Sequence, residues 1–232
     1  MRIETSKVRG SAACVAGFLL VIGAAATVPA KEPSAATVIR LPAPRATSEV
    51  SVEQALKTRR SLRSFAAAPL TLAEVSQLMW AAQGVTDQRG RRTAPSAGAL
   101  YPLELFLVAG NVADLPSGVY RYRPAEHDLV LVVLGDRRAA VASACWQGWV
   151  AEAPASVAFA AIYARTAKKY GDRSARYVPI EVGAAAENLA LQAVALGLGT
   201  TVVGAYDDVA LAVALGSAPD EQPLVLLPVG HK

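Results

Sequence analysis

Two periodicities divide the chain. Over residues 49–60, Val52, Ala55, Leu56 and Arg59 recur at helical spacing behind Ser51, whose hydroxyl can cap the first turn. Thr71 followed by Glu74 is a capping-box signature, and the spacing predicts a second helix running to about Gln83. The period then shortens. Leu103–Ala109, Gly118–Arg123 and residues 129–134 are strand-like runs separated by the turn signals Pro116-Ser117-Gly118 and Glu126-His127-Asp128, which predicts a small antiparallel meander. Residues 156–164, 200–203 and 224–229 add three strand candidates. Residues 180–196, ended by Gly197, form a helix that is apolar on almost every side. Such a helix must be buried, in part against another subunit.

These elements occupy residues 51–232, which read as one domain of mixed α and β structure. Residues 31–50 hold Pro33, Pro42 and Pro44 among Ala, Thr and Ser without an apolar period, and read as a linker. Residues 1–30 start with Arg2, Lys7 and Arg9, continue as small apolar residues and end in Val28-Pro29-Ala30, the pattern of a secretory signal peptide. Export to the periplasm or the extracellular space is the expectation. An uncleaved membrane anchor is the alternative, since an apolar stretch of roughly 17 residues can just span a bilayer.

Processing would remove Arg2, Glu4, Lys7 and Arg9, lowering the formal charge from +4 to +2. Arg89, Arg91 and Arg92 could join the arginines near residue 60 in a basic patch, but few aromatic residues lie near to stack on bases. Nucleic acid is not an expected partner. Cys145 would be the only thiol left, so no intramolecular disulfide is expected.

Arg59, Arg60, Ser61 and Arg63 place three guanidinium groups and a hydroxyl at a helix end, where they could converge on a phosphate. A solvated helix end that complements the dipole would use the same residues. Residues 95–102, Pro-Ser-Ala-Gly-Ala-Leu-Tyr-Pro, lead into a strand with small side chains and free backbone donors, suited to a flat ligand or to a plain turn. Lys169 and Tyr170 sit in a polar stretch that reads equally as a proton-transfer pair or as a surface loop. Trp146 and Trp149 read as core or interface packing. His127 and His231 show no metal-site spacing, and no metal is expected. Neither a Gly-x-Ser-x-Gly elbow nor a Gly-x-Gly-x-x-Gly turn after an early strand is present, which argues against a hydrolase and a Rossmann site.

Taken together, Arg-Arg-Ser-x-Arg at 59–63, the 95–102 segment and Lys169-Tyr170-Gly171-Asp172-Arg173 resemble the SagB-type dehydrogenase branch of the nitroreductase family. Glu181-x-Gly183, Asn188-Leu189, Leu196-Gly197-Leu198-Gly199, residues 203–208 and Pro228-Val229-Gly230 continue the resemblance in order, from about Val52 to the end. It implies a nitroreductase-like α+β fold, a mixed or antiparallel sheet flanked by helices, and a homodimer with FMN at the subunit interface. By the same resemblance Arg59, Arg60, Ser61 and Arg63 contact the FMN phosphate and ribityl chain. Pro95, Ser96 and Ala97 lie near the ring, and Gly199, Val203 and Gly204 bring backbone to its reactive edge. Lys169 and Tyr170 match a pair that azoline-oxidising members use in substrate deprotonation. One departure is that many members carry a further Arg or Lys beyond the last strand, whereas this sequence offers only Lys232.

The implied activity is an FMN-dependent oxidoreductase moving hydride between NAD(P)H or an organic donor and a small organic acceptor. Two rival readings stand beside it: an azoline oxidase acting on a modified peptide, and a flavin-binding module without turnover. An export signal would separate this chain from a cytoplasmic peptide-modifying partner, which favours the first reading.

Overall fold

The structure, a computed structural model, describes residues 37–232; the expected signal peptide lies outside the described residues. Seven strands form one antiparallel sheet: β1 Val38–Arg40, β2 Leu103–Ala109, β3 Gly118–Arg123, β4 Asp128–Leu134, β5 Ala155–Ala161, β6 Leu198–Thr200 and β7 Gln222–His231, in the order β1-β4-β3-β2-β5-β7-β6. Six helices accompany them: α1 Val52–Thr58, α2 Leu72–Gln83, α3 Arg138–Ala144, α4 Tyr163–Tyr170, α5 Ser174–Ala195 and α6 Asp208–Leu215. The fold is nitroreductase-like α+β, as expected, and every strand pairing within the sheet is antiparallel.

The sheet is covered on both faces, which explains why its central strands are almost wholly apolar instead of alternating. Leu105, Leu107, Val157, Phe159, Val225 and Leu227 point to the side of α2 and α5. Their neighbours Phe106, Val108, Ala158, Ala160 and Leu226 point to the side of α3 and α6. In the β2–β5 register Leu105 lies opposite Phe159 and Phe106 opposite Ala158, so each core receives one fully buried phenylalanine ring.

The predicted caps form. Ser51 Oγ accepts from the Gln54 N–H at 3.2 Å, and Thr71 and Glu74 bond reciprocally at 3.2 and 2.7 Å. The segment read as a linker is a correction, because from Thr37 onward it belongs to the packed domain. β1 pairs with β4, Leu41 joins the core, and the Arg45 backbone exchanges hydrogen bonds with the Gln77 side chain at 2.8 and 3.0 Å. Pro42 and Pro44 lie beyond the end of β1, where the missing N–H breaks no ladder bond. His127 helps hold this arm: its ring meets Ser76 Oγ and Tyr122 Oη at 2.8 Å and the Pro42 carbonyl at 3.0 Å. Trp149 packs against the second core, whereas Trp146 is 71% exposed.

Candidate functional site

The sequence-derived site residues fall into two clusters, both carried by α5. The first begins where α1 ends. Arg59 is the C-cap of α1, and the chain then runs extended beside β6: Ser61 bridges in parallel to Thr200, and the Leu62 N–H donates to the Thr200 carbonyl at 3.1 Å. Gly199 makes this approach possible. A β-carbon there would overlap Leu62 Cδ2 and lie 2.8 Å from Leu62 Cβ.

Arg59, Arg60, Leu62, Gly199, Thr200 and Lys232 line a small cavity of about 240 Å³. Three of those six residues are cationic. Arg59 Nε stands 3.6 Å from Glu187 of α5, and Arg60 folds back onto the carbonyls of Lys57 and Arg59 at 3.1 and 2.6 Å. Arg60 and Lys232 have no ion-pair partner among the described residues, so the pocket retains a positive field suited to an anion, whereas Arg63 does not line it. Val203 lies apart from this cavity: it exchanges backbone hydrogen bonds with Leu226 at 2.8 and 3.0 Å and is buried in the core beside α3 and α6. Gly204 beside it is exposed, with open space where a β-carbon would be.

The second cluster surrounds residues 95–101. Gly98, Ala99 and Tyr101 adopt φ of +64°, +54° and +46°. For the two non-glycine residues this left-handed backbone costs about 1–3 kcal/mol each. Several contacts hold it: Ser96 Oγ accepts from the Tyr101 N–H at 2.9 Å, Arg165 Nη1 donates to the Tyr101 carbonyl at 3.0 Å, and Asn188 Nδ2 of α5 donates to the Thr93 carbonyl at 3.3 Å. The Arg92 guanidinium stacks 4.4 Å from the Tyr101 ring centroid. Arg92 is therefore turned inward, while Arg91 pairs with Asp87, so the arginines expected as one basic patch point to different tasks.

Lys169 and Tyr170 join this cluster. A β-carbon at Gly98 would lie 3.0 Å from Tyr170 Oη and 3.2 Å from Lys169 Nζ, so the ammonium and the phenol flank the glycine. The polar stretch containing them is not a loop but α4, an amphipathic helix that turns Tyr163, Thr166 and Tyr170 inward. Tyr170 packs edge-on against Tyr177, with ring centroids 5.1 Å apart. Arg165, one turn before Lys169, ties α4 to Glu104 at 2.6 Å. Glu104 in turn accepts from Arg121 at 2.9 Å, and Arg121 grips the buried carboxylate of Glu221.

The structure thus brings Arg59, Arg60, Ser61 and Gly199 together at one place and Ser96, Ala97, Lys169 and Tyr170 at another, while Val203 lies apart in the core beside α3 and α6. No hydrogen bond or ion pair joins the two clusters among the described residues. Sequence reasoning missed Glu181, Arg92 and Arg165 as site residues. Glu181 carried a signal, since it is an acid on the apolar side of a helix and is 4% exposed. No group of three metal-ligating side chains occurs among the described residues.

The model of the nitroreductase family matches residues 56–231. A protein of Methanocaldococcus jannaschii assigned as a nitroreductase is 44% identical over 187 residues, which cover 79% of this chain and 92% of the relative. A crystal structure from Ralstonia eutropha, also assigned as a nitroreductase, superposes with a TM-score of 0.74 at 32% identity, covering 84% of this chain and 89% of that one. A chain of the Escherichia coli microcin synthetase McbBCD complex, solved with truncated pro-MccB17 bound, follows at a TM-score of 0.66 and 25% identity, covering 81% of this chain and 75% of that one. A family match over residues 56–231, with two relatives above 30% identity across most of their length, assigns the family: this chain belongs to the nitroreductase family of oxidoreductases.

Proposed function

We propose that this chain is an FMN-dependent oxidoreductase of the SagB-type branch, moving reducing equivalents between NAD(P)H or an organic donor and a small organic acceptor. The observation that carries the reading is the pairing of chemistries on α5. A cationic cavity at Arg59, Arg60 and Lys232 lies on one side, and a strained, open backbone segment at Ser96–Gly98 faces Lys169 and Tyr170 on the other. The residues fit the cofactor. The cavity offers charge-assisted donors to a phosphate, Lys232 stands where a terminal cation is wanted, and the open space at Gly204 leaves backbone accessible to a flat ring. When bound, FMN supplies reversible two-electron transfer at its ring. The chain's own work is to fix the phosphate end through its arginines, present backbone to the ring, and place an ammonium and a phenol within reach of a substrate proton.

The two clusters would form one site by pairing across a homodimer. α1 and α5 expose an apolar surface that includes Val52, Leu56 and Ile180, at 64%, 56% and 64% exposure. Such a row on adjacent helices favours a self-complementary interface. Export through residues 1–30 is part of the proposal and predicts a processed N-terminus near Lys31.

The azoline-oxidase reading draws support from Lys169 and Tyr170 at Gly98 and from the likeness to a microcin synthetase chain. The test is an absorption spectrum of the purified domain starting at Lys31, followed by acid release and identification of the chromophore, then turnover with NADH and NADPH. Stoichiometric FMN reduced by either nucleotide is the expected result. FMN that no nucleotide reduces would favour the oxidase or a binding module without turnover, which oxidation of an azoline peptide then separates. A colourless protein that takes up no added FMN refutes the cofactor assignment.

A further inference from the structure

α4 carries the ammonium and phenol that flank Gly98, yet little in its own sequence fixes where it lies. It is eight residues long, its N-terminus has no side-chain cap and its first turn holds no acid. A helix this short is marginal in water, so tertiary contacts must place it. Tyr163 packs against the first core and Tyr170 meets Tyr177 of α5 edge-on. Arg165 adds a polar tie with both arms of one guanidinium: Nη1 donates to the Tyr101 carbonyl at 3.0 Å, and Nη2 pairs with Glu104 Oε1 at 2.6 Å.

Tyr101 is a residue whose backbone needs holding. It is a non-glycine residue at φ +46°, the last of the three left-handed positions that begin at Gly98, and such backbone persists only where its surroundings over-determine it. Three contacts do so. Ser96 Oγ accepts from its N–H at 2.9 Å, the Arg92 guanidinium stacks 4.4 Å from its ring centroid, and Arg165 takes its carbonyl. Of these three partners only Arg165 comes from another element. Arg165 and Lys169 stand four residues apart on α4 and therefore share one face of the helix. The two cations address the two ends of the segment: Arg165 the carbonyl of Tyr101, and Lys169 the α-carbon of Gly98, where a β-carbon would lie 3.2 Å from Nζ.

Glu104 keeps the fork aimed. Its Oε2 accepts from Arg121 at 2.9 Å, so the carboxylate is fixed on β2, the middle strand of the sheet, and presents its other oxygen to Arg165. Because Arg121 stays in place, removing Arg165 leaves Glu104 paired, and the sheet should survive the substitution.

We infer that Arg165 is a positioning residue: its forked guanidinium locks α4 to the left-handed segment and so sets the approach of Lys169 and Tyr170 to Gly98. That this approach serves proton transfer rests on the function proposed above; the lock itself does not. Lysine should not replace it, since a compact ammonium on a flexible stem lacks the planar fork that holds a carbonyl and a carboxylate in fixed directions at once.

The experiment is hydrogen–deuterium exchange of the purified protein as isolated, for wild type, Arg165→Ala and Arg165→Lys, with steady-state kinetics on these proteins, on Lys169→Ala and on the Arg165→Ala/Lys169→Ala double variant. The amides of Ala99 and Leu100 bond to the carbonyls of Ser96 and Ala97 at 3.0 and 3.4 Å, and that of Tyr101 bonds to Ser96 Oγ, so all three report whether the segment is held. Their exchange should accelerate at least tenfold in Arg165→Ala and nearly as much in Arg165→Lys, while amides of β2 and β5 exchange as in wild type. FMN content and KM should stay at wild-type values while kcat falls about tenfold in Arg165→Ala, and the double variant should be no slower than Lys169→Ala. Unchanged exchange at residues 99–101, acceleration spread equally over the sheet, full rescue by lysine, or additive losses of kcat would overturn the inference. Should Arg165→Ala fail to fold, Arg165→Lys decides alone by the same readouts. Wild-type protein without FMN or turnover would count against the proposed function, and exchange would still decide the lock.

Discussion

Substituting Gly199 by alanine tests whether the cationic cavity depends on close packing of two backbones. Gly199 does not adopt a left-handed conformation, so alanine introduces no backbone strain and the effect is steric. The new methyl overlaps Leu62 Cδ2 and lies 2.8 and 3.0 Å from Leu62 Cβ and Cγ. Leu62 must therefore retreat, carrying the Leu62–Thr200 hydrogen bond and the neighbouring Arg60 and Ser61 with it. Overpacking of this kind costs about 1–3 kcal/mol, and loss of the hydrogen bond adds about 0.5–1.5 kcal/mol. Displacing the phosphate donors by as little as 1.4 kcal/mol of lost interaction weakens FMN binding about tenfold. The assay pairs a melting curve with a flavin titration followed by fluorescence quenching. Gly199→Ala should lower both stability and FMN affinity. Adding Leu62→Ala removes the Cδ2 and Cγ contacts but keeps the 2.8 Å contact with Cβ, so the double variant should recover only part of the loss. A Gly199→Ala protein with wild-type stability and FMN affinity would refute the argument.

Five further outcomes follow from the structure. Arg59→Ala and Lys232→Ala should each weaken FMN binding by roughly tenfold, the worth of one charged hydrogen bond at about 1.5–3 kcal/mol reduced by exposure, with a loss that shrinks at high salt; isothermal titration at two ionic strengths checks this. Lys169→Ala and Tyr170→Phe should keep the flavin spectrum and affinity while lowering kcat, which steady-state kinetics on spectrally matched protein would show. Arg121→Ala leaves Glu104 and Glu221 without their shared cation and should cost about 3–5 kcal/mol in denaturant unfolding. For Glu221, burial raises the pKa but the Arg121 bonds, the Ala218 N–H and nearby cations outweigh it, so its value is lowered; its stabilisation is present above the ordinary carboxylate range and is lost as pH falls through the lowered value, a loss that Glu221→Gln should abolish in acid melting curves. Burial pushes the Cys145 thiol up to about 11, so it should resist a thiol reagent in the native domain and react on unfolding.

The elements most legible in the sequence were those whose signals are local. The Thr71–Glu74 capping box and the turns bounding Leu103–Ala109 and Gly118–Arg123 fix their own geometry within a few residues. What escaped was decided by distant partners. β1 is three residues long and alternates exposed and half-buried positions, so only its pairing with β4 makes it a strand. α4 was masked by polarity, although Tyr163, Thr166 and Tyr170 already held helical spacing. α6 was signalled by Asp207, whose carboxylate accepts from the Ala210 N–H at 2.8 Å, and by Gly216 in the left-handed conformation at its end. Arg59, Ser61 and Gly199 were legible as site residues through motif resemblance, and the structure places Arg59 and Gly199 at one cavity with Ser61 bridged to Thr200 beside it. The approach of Lys169 and Tyr170 to Gly98 goes with the Arg165–Glu104 tie between α4 and β2, which no local pattern contains.

α5 explains why such separate motifs keep a fixed spacing within the chain. Its buried face packs against the sheet through Val178, Val182, Ala185 and Leu189. Two side chains beside that face are committed elsewhere: Asn188 to Thr93 and Glu187 to Arg59. The two are consecutive on one helix, so one rigid rod sets Arg59 and the segment that begins at Thr93 in register. Any change that shifts α5 along the sheet should disturb both clusters together, whereas Glu187→Gln and Asn188→Ala should each disturb one. The rod therefore supplies the common frame, and the individual polar side chains on it supply the local settings.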